Sequence, residues 1–175
     1  MKTFFNRAIF AVAALSLAAC STGMELKNAQ SVQPGGTVFE RSLYKEYMEQ
    51  ATDEYNEADF ANSDTFALRG IAAAQRKAAD PEPVSNRNLP AGTEKDLSAA
   101  RKRLTIALIK TAREKAPRDA ARAQVMYECW MEEQEENVQP KDIAACRAAF
   151  EAAMKKVDAA LKPKPMAKKA APKPA

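Results

Sequence analysis

Apolar residues repeat at helical spacing over most of the chain, and no segment alternates apolar and polar residues as a half-buried strand does. This pattern predicts an all-α fold of about five helices, arranged as antiparallel helical hairpins around one core. The predicted helices cover residues 37–58, 59–74, 93–111, 117–137 and 140–161.

The ends of these helices carry recognisable signals. Thr37 followed three residues later by Glu40 is a capping box, and Asp59 is a good N-cap for the second helix. Pro117 and Pro140 suit the first position of the fourth and fifth helices, because proline lacks the N–H that a helix cannot satisfy there. The fourth helix has apolar side chains on two opposite faces, so we expect it to be packed on both sides.

The first 19 residues have the organisation of a secretory signal peptide. Lys2 and Arg7 precede an uncharged run, Ala8–Ala19, that is too short to span a bilayer. The run ends in Leu-Ala-Ala-Cys-Ser at residues 17–21, which resembles the lipobox of bacterial lipoprotein precursors. An ordinary signal-peptidase cleavage with an incidental Cys20 is the alternative.

The lipobox resemblance implies that Cys20 is acylated and becomes the first residue of the mature protein. More than one acyl chain makes membrane residence effectively stable, since each buried methylene contributes about 0.8 kcal/mol. Ser21, in place of an aspartate, implies sorting to the outer membrane, with the protein on its periplasmic face. We interpret residues 20–36 as a flexible tether and 37–161 as a helical periplasmic domain.

Charge divides the mature chain into an acidic body and a basic tail. Residues 20–161 hold 20 basic and 23 acidic side chains, a net charge of −3, which gives no basic face for nucleic acid. Residues 162–175 consist of Lys, Pro and Ala with one Met, a composition that predicts disorder. Their five lysines would attract anionic surfaces such as peptidoglycan carboxylates, unless the tail is only a solubilising linker.

The two cysteines that remain after Cys20, Cys129 and Cys146, are a candidate disulfide. They lie nine and eight residues from Val138, in the break between two predicted helices, and a hairpin would bring them level. Two buried free thiols are the alternative. The pairing suits an oxidising compartment such as the periplasm.

The composition argues against an enzyme. The chain has no histidine, which excludes Ser-His-Asp and Cys-His sites and removes the commonest metal ligand. Glu132, Glu133, Glu135 and Glu136 could in principle supply a carboxylate pair or a Ca²⁺ site. Because these four residues wrap around one helix, we interpret them as a solvated face, and we expect no catalytic residue, metal or cofactor.

Several short segments, spread over most of the mature chain, resemble one family. They are Phe39–Tyr44, Glu46–Tyr47, Asn88–Pro90, Ala100–Leu104, Ala123–Gln124, Cys129–Asn137 and Asp142–Arg147. They are similar to the helical N-terminal region of OmpA-family outer-membrane lipoproteins. In that family a proline-rich linker leads to a C-terminal peptidoglycan-binding domain, which this sequence lacks, so peptidoglycan recognition by such a domain is not carried over.

These observations predict a non-enzymatic envelope lipoprotein. Its helical domain, anchored at the outer membrane through Cys20, would mediate protein or cell-wall contacts. The alternative is a pilotin-like or assembly-factor lipoprotein that binds one specific protein partner.

Overall fold

The computed structural model describes residues 23–163, which are helical with no strand in that range, so the predicted all-α class is confirmed. The helices are α1 (Met24–Gln30), α2 (Val38–Asn56), α3 (Phe60–Ala74), α4 (Glu94–Ala107), α5 (Arg113–Lys115), α6 (Pro117–Glu136) and α7 (Pro140–Leu161). A single 3₁₀ turn, Val84–Asn86, interrupts the long connection between α3 and α4. The five predicted helices therefore correspond to α2, α3, α4, α6 and α7.

Two hairpins form the body of the domain, α2 with α3 and α6 with α7, and α6 also packs against α2. Helix α6 is central as predicted, since its residues from Tyr127 to Glu133 are all buried. Phe39, Leu43 and Tyr47 of α2 face it as part of one continuous core. Helix α4 closes the bundle through contacts with α6 and α7.

Capping hydrogen bonds confirm the predicted starts of α2 and α3. The Thr37 hydroxyl accepts from the N–H of Glu40 at 3.3 Å, and the Glu40 carboxylate accepts from the N–H of Thr37 at 2.7 Å. Asp59 accepts from the N–H groups of Ala61 and Asn62, the second and third residues of α3, at 3.0 and 2.9 Å. Pro117 and Pro140 each stand at the start of a helix.

The prediction of a flexible tether over residues 20–36 is wrong where α1 forms. Leu26 and Ala29 of α1 are buried, and the helix packs against α3. The Tyr44 hydroxyl donates to the Ala29 carbonyl at 3.0 Å. A helix of seven residues has too few turns to show an apolar period and is stable only through such tertiary packing.

The connection from α4 to α6 is irregular. The predicted third helix continued to Thr111, but α4 ends at Ala107 and a π-helical turn, Leu108–Ala112, follows. Within that turn Thr111 has φ 110°, a left-handed conformation that is unfavourable for a β-branched residue. Neighbouring Ile109 is 80% exposed.

Within residues 23–163, none of the helices combines the length and the apolar character that crossing a membrane requires. Cys20, the predicted lipidation site, lies outside the described residues. So do the predicted signal peptide 1–19 and all but the first two residues of the tail 162–175. These assignments therefore stay predictions.

Candidate functional site

Cys129 of α6 and Cys146 of α7 form a disulfide in the structure, with their Cα atoms 5.8 Å apart. The crosslink joins the two helices of one hairpin across a sequence separation of 17 residues. This is the pairing that the sequence favoured over two free thiols. Both cysteines are therefore structural, and neither supplies a thiolate for catalysis.

A buried polar network surrounds Glu128, on α6 just before this disulfide. Its carboxylate accepts from the Arg69 guanidinium at 2.7 Å, from the Tyr47 hydroxyl at 2.8 Å and from the N–H of Glu82 at 3.1 Å. The Tyr47 oxygen in turn accepts from the side-chain amide of Gln124 at 3.2 Å. Both oxygens of this fully buried carboxylate therefore have donors.

Burial raises the pKa of Glu128, and Arg69, the Tyr47 hydroxyl and the Glu82 N–H offset part of that rise. Burial together with the Glu128 charge raises the pKa of Tyr47, so the phenol stays protonated and donates. The network ties α2, α3, α6 and the segment after α3 into one unit. Because every strong donor in it is used within the protein, we assign it a structural role.

One helical turn further along α6, the environment of a second buried glutamate is very different. Glu132 is 1% exposed, and its Oε1 accepts a hydrogen bond from the Asn62 amide at 2.8 Å. Its second oxygen, Oε2, is buried without a hydrogen-bond partner. Glu133 is also buried, so the interpretation of residues 132–136 as a solvated face is wrong for these two.

Carboxylates from three elements converge at this end of the bundle. Oxygen atoms of Glu54, Asp59 and Glu132 all lie within 4.8 Å of one another. We call these three residues the acidic triad. Its side chains come from the end of α2, the start of α3 and the end of α6, far apart in sequence, so their convergence could not be deduced from the chain.

Two tight turns produce the convergence. Ala58 has φ 67°, and this left-handed residue lets the Asp59 N–H donate to the Glu54 carbonyl at 2.9 Å. Asn137, with φ 54°, ends α6 in the same conformation, which asparagine tolerates well. The C-terminal ends of α2 and α6, where helix dipoles are negative, therefore lie together near the acidic triad.

The pKa values of the acidic triad reflect burial among other carboxylates, without a cation paired to Glu132 or Glu54 in the described part of the chain. Burial, followed by the charges of Glu54, Glu136 and Glu133, raises the pKa of Glu132 to about 9. Burial also raises the pKa of Glu54 to about 7, although the Gln50 amide opposes this by donating at 2.7 Å. The N–H groups at the start of α3 overcome burial at Asp59 and hold its pKa below the usual range.

Arg87, whose positive charge lowers the pKa of Glu132, is already engaged with other carboxylates. Its guanidinium pairs with Glu135 at 3.0 Å and with Glu82 at 3.4 Å. A surface cleft of about 430 Å³ opens to solvent beside the acidic triad, lined in part by Glu54, Asp59 and Gln139. Two members of the acidic triad, Glu54 and Asp59, thus face this cleft, and Glu132 is buried next to them.

A second acidic depression lies beside the first, between α2, α6 and α7. This groove of about 450 Å³ has the disulfide, Ala145 and Ala149 on its apolar floor. Asp53 and Glu133 are among the acidic residues that line its walls. We call it the acidic groove.

Comparison with known proteins found no match: no family model, no curated protein and no solved structure is similar to this chain. The resemblance to OmpA-family lipoproteins therefore remains a prediction from the sequence. The acidic triad and the acidic groove have to be interpreted from their own chemistry.

Proposed function

We propose that the protein is a cell-envelope lipoprotein, anchored at the outer membrane through acylated Cys20, with a non-enzymatic helical domain that mediates contacts in the periplasm. The lipobox-like sequence, the Cys129–Cys146 disulfide and the absence of histidine support this proposal. The disulfide matters because such crosslinks persist in oxidising compartments.

The observation that carries the proposal is the position of the two ends of the described domain. Gly23 lies against Tyr55 and Phe60, where α2 ends and α3 begins. The last helix contacts α5 and the π-helical turn, and Arg113 of α5 stacks on Phe39 at the other end of α2. Helix α2 is about 27 Å long at 1.5 Å per residue, so the chain enters and leaves at opposite ends.

This polarity suits a spacer between the bilayer and another layer of the envelope. Cys20 precedes the membrane-proximal end by three residues, and the lysine-rich residues 162–175 follow the distal end. Lysines there could contact the carboxylates of the cell wall in a salt-sensitive manner. The proposed role is therefore structural, with association to peptidoglycan through the tail.

Two measurements test the proposal, the first for the lipid anchor and the second for the tail. Globomycin should accumulate the precursor, and Cys20→Ala should move the protein from the membrane to the soluble fraction. Purified lipidated protein should sediment with isolated sacculi, and removal of residues 162–175 should abolish sedimentation. Unchanged membrane fractionation of Cys20→Ala would refute the anchor, whereas sedimentation that survives the truncation would refute the role of the tail.

The acidic groove favours a second candidate, a pilotin-like or assembly-factor lipoprotein that binds one protein partner. Its apolar floor and acidic walls match a partner segment rich in lysine or arginine with small apolar residues. In-cell crosslinking should then yield one stoichiometric partner. Reversing a charge on the groove wall with Glu49→Lys should abolish that product, whereas Glu114→Lys on a remote exposed surface should not.

A further inference from the structure

We propose that the acidic triad, Glu54, Asp59 and Glu132, is a binding site for a divalent cation of the calcium type. The inference goes beyond the proposed envelope role and does not depend on lipidation of Cys20. It rests on the arrangement of the three carboxylates and on a buried oxygen atom that no group in the described part of the chain satisfies.

The geometry of the acidic triad suits a single ion. Its three carboxylates offer oxygen atoms that are mutually within 4.8 Å, a separation that one cation contacted by all three can span. They belong to separate elements, which meet only because of the turns at Ala58 and Asn137. A cation here would therefore join the α2–α3 turn to the end of α6.

The unsatisfied oxygen is independent evidence for a missing partner. Glu132 is 99% buried, and Oε2 lacks any donor although Oε1 accepts from Asn62. A buried carboxylate oxygen without a donor is costly, because it has lost its hydration and gained nothing in exchange. The same carboxylate belongs to the acidic triad, so a cation bound there would supply the missing interaction.

The chemistry of the acidic triad selects the kind of ion. Carboxylate oxygens are hard ligands that suit Ca²⁺ or Mg²⁺, whereas a typical zinc site uses histidine or thiolate. The chain has no histidine, and the two cysteines in the described range are joined to each other. Ca²⁺ is favoured over Mg²⁺ because it accepts irregular carboxylate geometry and several waters, which the adjoining cleft can supply.

The capping role of Asp59 is compatible with this site. Asp59 accepts from the N–H groups of Ala61 and Asn62 through one oxygen, and its other oxygen accepts from the Asn62 amide. These contacts fix the carboxylate in place and keep its pKa low, so it presents a charged oxygen at neutral pH. A carboxylate oxygen has a second lone pair available for a metal ion.

The test is a titration of the purified full-length protein with CaCl₂ after treatment with chelator, followed by calorimetry and thermal unfolding. We expect saturable binding of one ion per chain and a Tm that rises with calcium concentration. MgCl₂ at the same ionic strength should bind at least tenfold more weakly. Absence of binding up to 10 mM CaCl₂ would overturn the proposal.

The variant Glu132→Gln separates a cation site from carboxyl groups that simply hold protons. The amide keeps the size of the side chain and removes a carboxyl group whose ionisation burial and the neighbouring carboxylates oppose, so in chelator its Tm should exceed that of the wild type. Its affinity for calcium should fall at least tenfold, so the same substitution raises one observable and lowers the other. Glu114→Gln, at an exposed position remote from the acidic triad, is the matched control and should change neither.

A rise in Tm for Glu132→Gln, together with no response of the wild type to calcium, would show that the carboxyl groups hold protons and would overturn the site. An equal rise in Tm with calcium in wild type and Glu132→Gln would mean that the ion binds elsewhere, and it would also overturn the proposed site.

Discussion

Glu128 and Glu132 are the same residue type on the same helix, one turn apart and both buried, yet their surroundings are opposite. Glu128 accepts hydrogen bonds from the Arg69 guanidinium, the Tyr47 hydroxyl and a backbone N–H. Glu132 accepts a hydrogen bond from the Asn62 amide and lies close to the carboxylates of Glu54 and Asp59. Burial alone therefore does not show what a glutamate does in this fold.

The donors around a buried carboxylate therefore decide its role in this fold. At Glu128 the donors match the acceptors, so the residue completes the core and has no capacity left for a ligand. At Glu132 the acceptors exceed the donors, a condition that proteins relieve by protonation or by binding a cation. Substitutions near Glu128 or near Glu132 can therefore change one of the two environments at a time.

The largest effect is expected from Arg69→Met. Removing the guanidinium leaves the Glu128 carboxylate buried without its cation, which costs about 3–5 kcal/mol when one partner of a buried pair is lost. Urea unfolding followed by circular dichroism measures the change. The variant would place Glu128 in the electrostatic condition of Glu132.

The double variant Arg69→Met/Glu128→Gln is the control for this interpretation. Removing the stranded charge should recover a large part of the lost free energy of unfolding, because most of the penalty belongs to the uncompensated carboxylate. A double variant no more stable than Arg69→Met would contradict the argument.

Removal of the crosslink by Cys129→Ala/Cys146→Ala should lower the free energy of unfolding by about 3 kcal/mol, the chain-entropy value for a loop of this length. The disulfide joins α6 to α7 close to Glu128 and Glu132. Its removal therefore tests whether the burial of these two glutamates depends on the crosslink. Urea unfolding of wild type with and without reductant should give the same difference. An effect of reductant on the double alanine variant would point to another cause.

Paired isosteric substitutions on the two sides should have opposite signs. In chelator, Glu132→Gln should stabilise the fold by about 1–3 kcal/mol, the usual cost of a buried polar atom without a partner, since the amide can donate where Oε2 has no donor. Glu128→Gln should destabilise it by a similar amount, because the amide replaces a charged acceptor that three donors contact. Unfolding curves of the two variants at pH 7.5 make the comparison, and equal signs would contradict it.

The smallest loss of stability is expected from a substitution that lies away from both Glu128 and Glu132. Thr37→Ala removes the cap of α2, at the end of that helix remote from the acidic triad, and should cost about 1 kcal/mol. The loss, measured by thermal unfolding, should be the same with calcium and with chelator. A calcium-dependent loss would mean that the ion acts on the whole fold and not only at the acidic triad.

Sequence patterns could predict most of the fold because its signals are local. Thr37, Asp59, Pro117 and Pro140 each act within one helical turn, and the expected helices begin there. The Cys129–Cys146 pairing followed from distance along two helices of one hairpin. These features require no knowledge of how distant segments pack.

The features that sequence patterns missed all depend on long-range packing. Helix α1 is held by the burial of Leu26 and Ala29 and by its contact with α3, and buried Glu132 contacts Asn62 of α3. No sequence pattern indicated that Glu54 would be buried, and Asp59 was predicted only as a helix cap. No local rule distinguishes a glutamate that faces solvent from one covered by a turn 70 residues away.

The left-handed Thr111 in the π-helical turn has a consequence for how the molecule opens. A strained residue inside an interrupted series of helical hydrogen bonds lowers the free energy needed to break those bonds locally. Amide hydrogens of Leu108–Ala112 should therefore exchange with solvent sooner than those in the centre of α6. Helix α4 could then detach as a unit while the two hairpins stay closed, which would make it the first part of the domain reached by a protease.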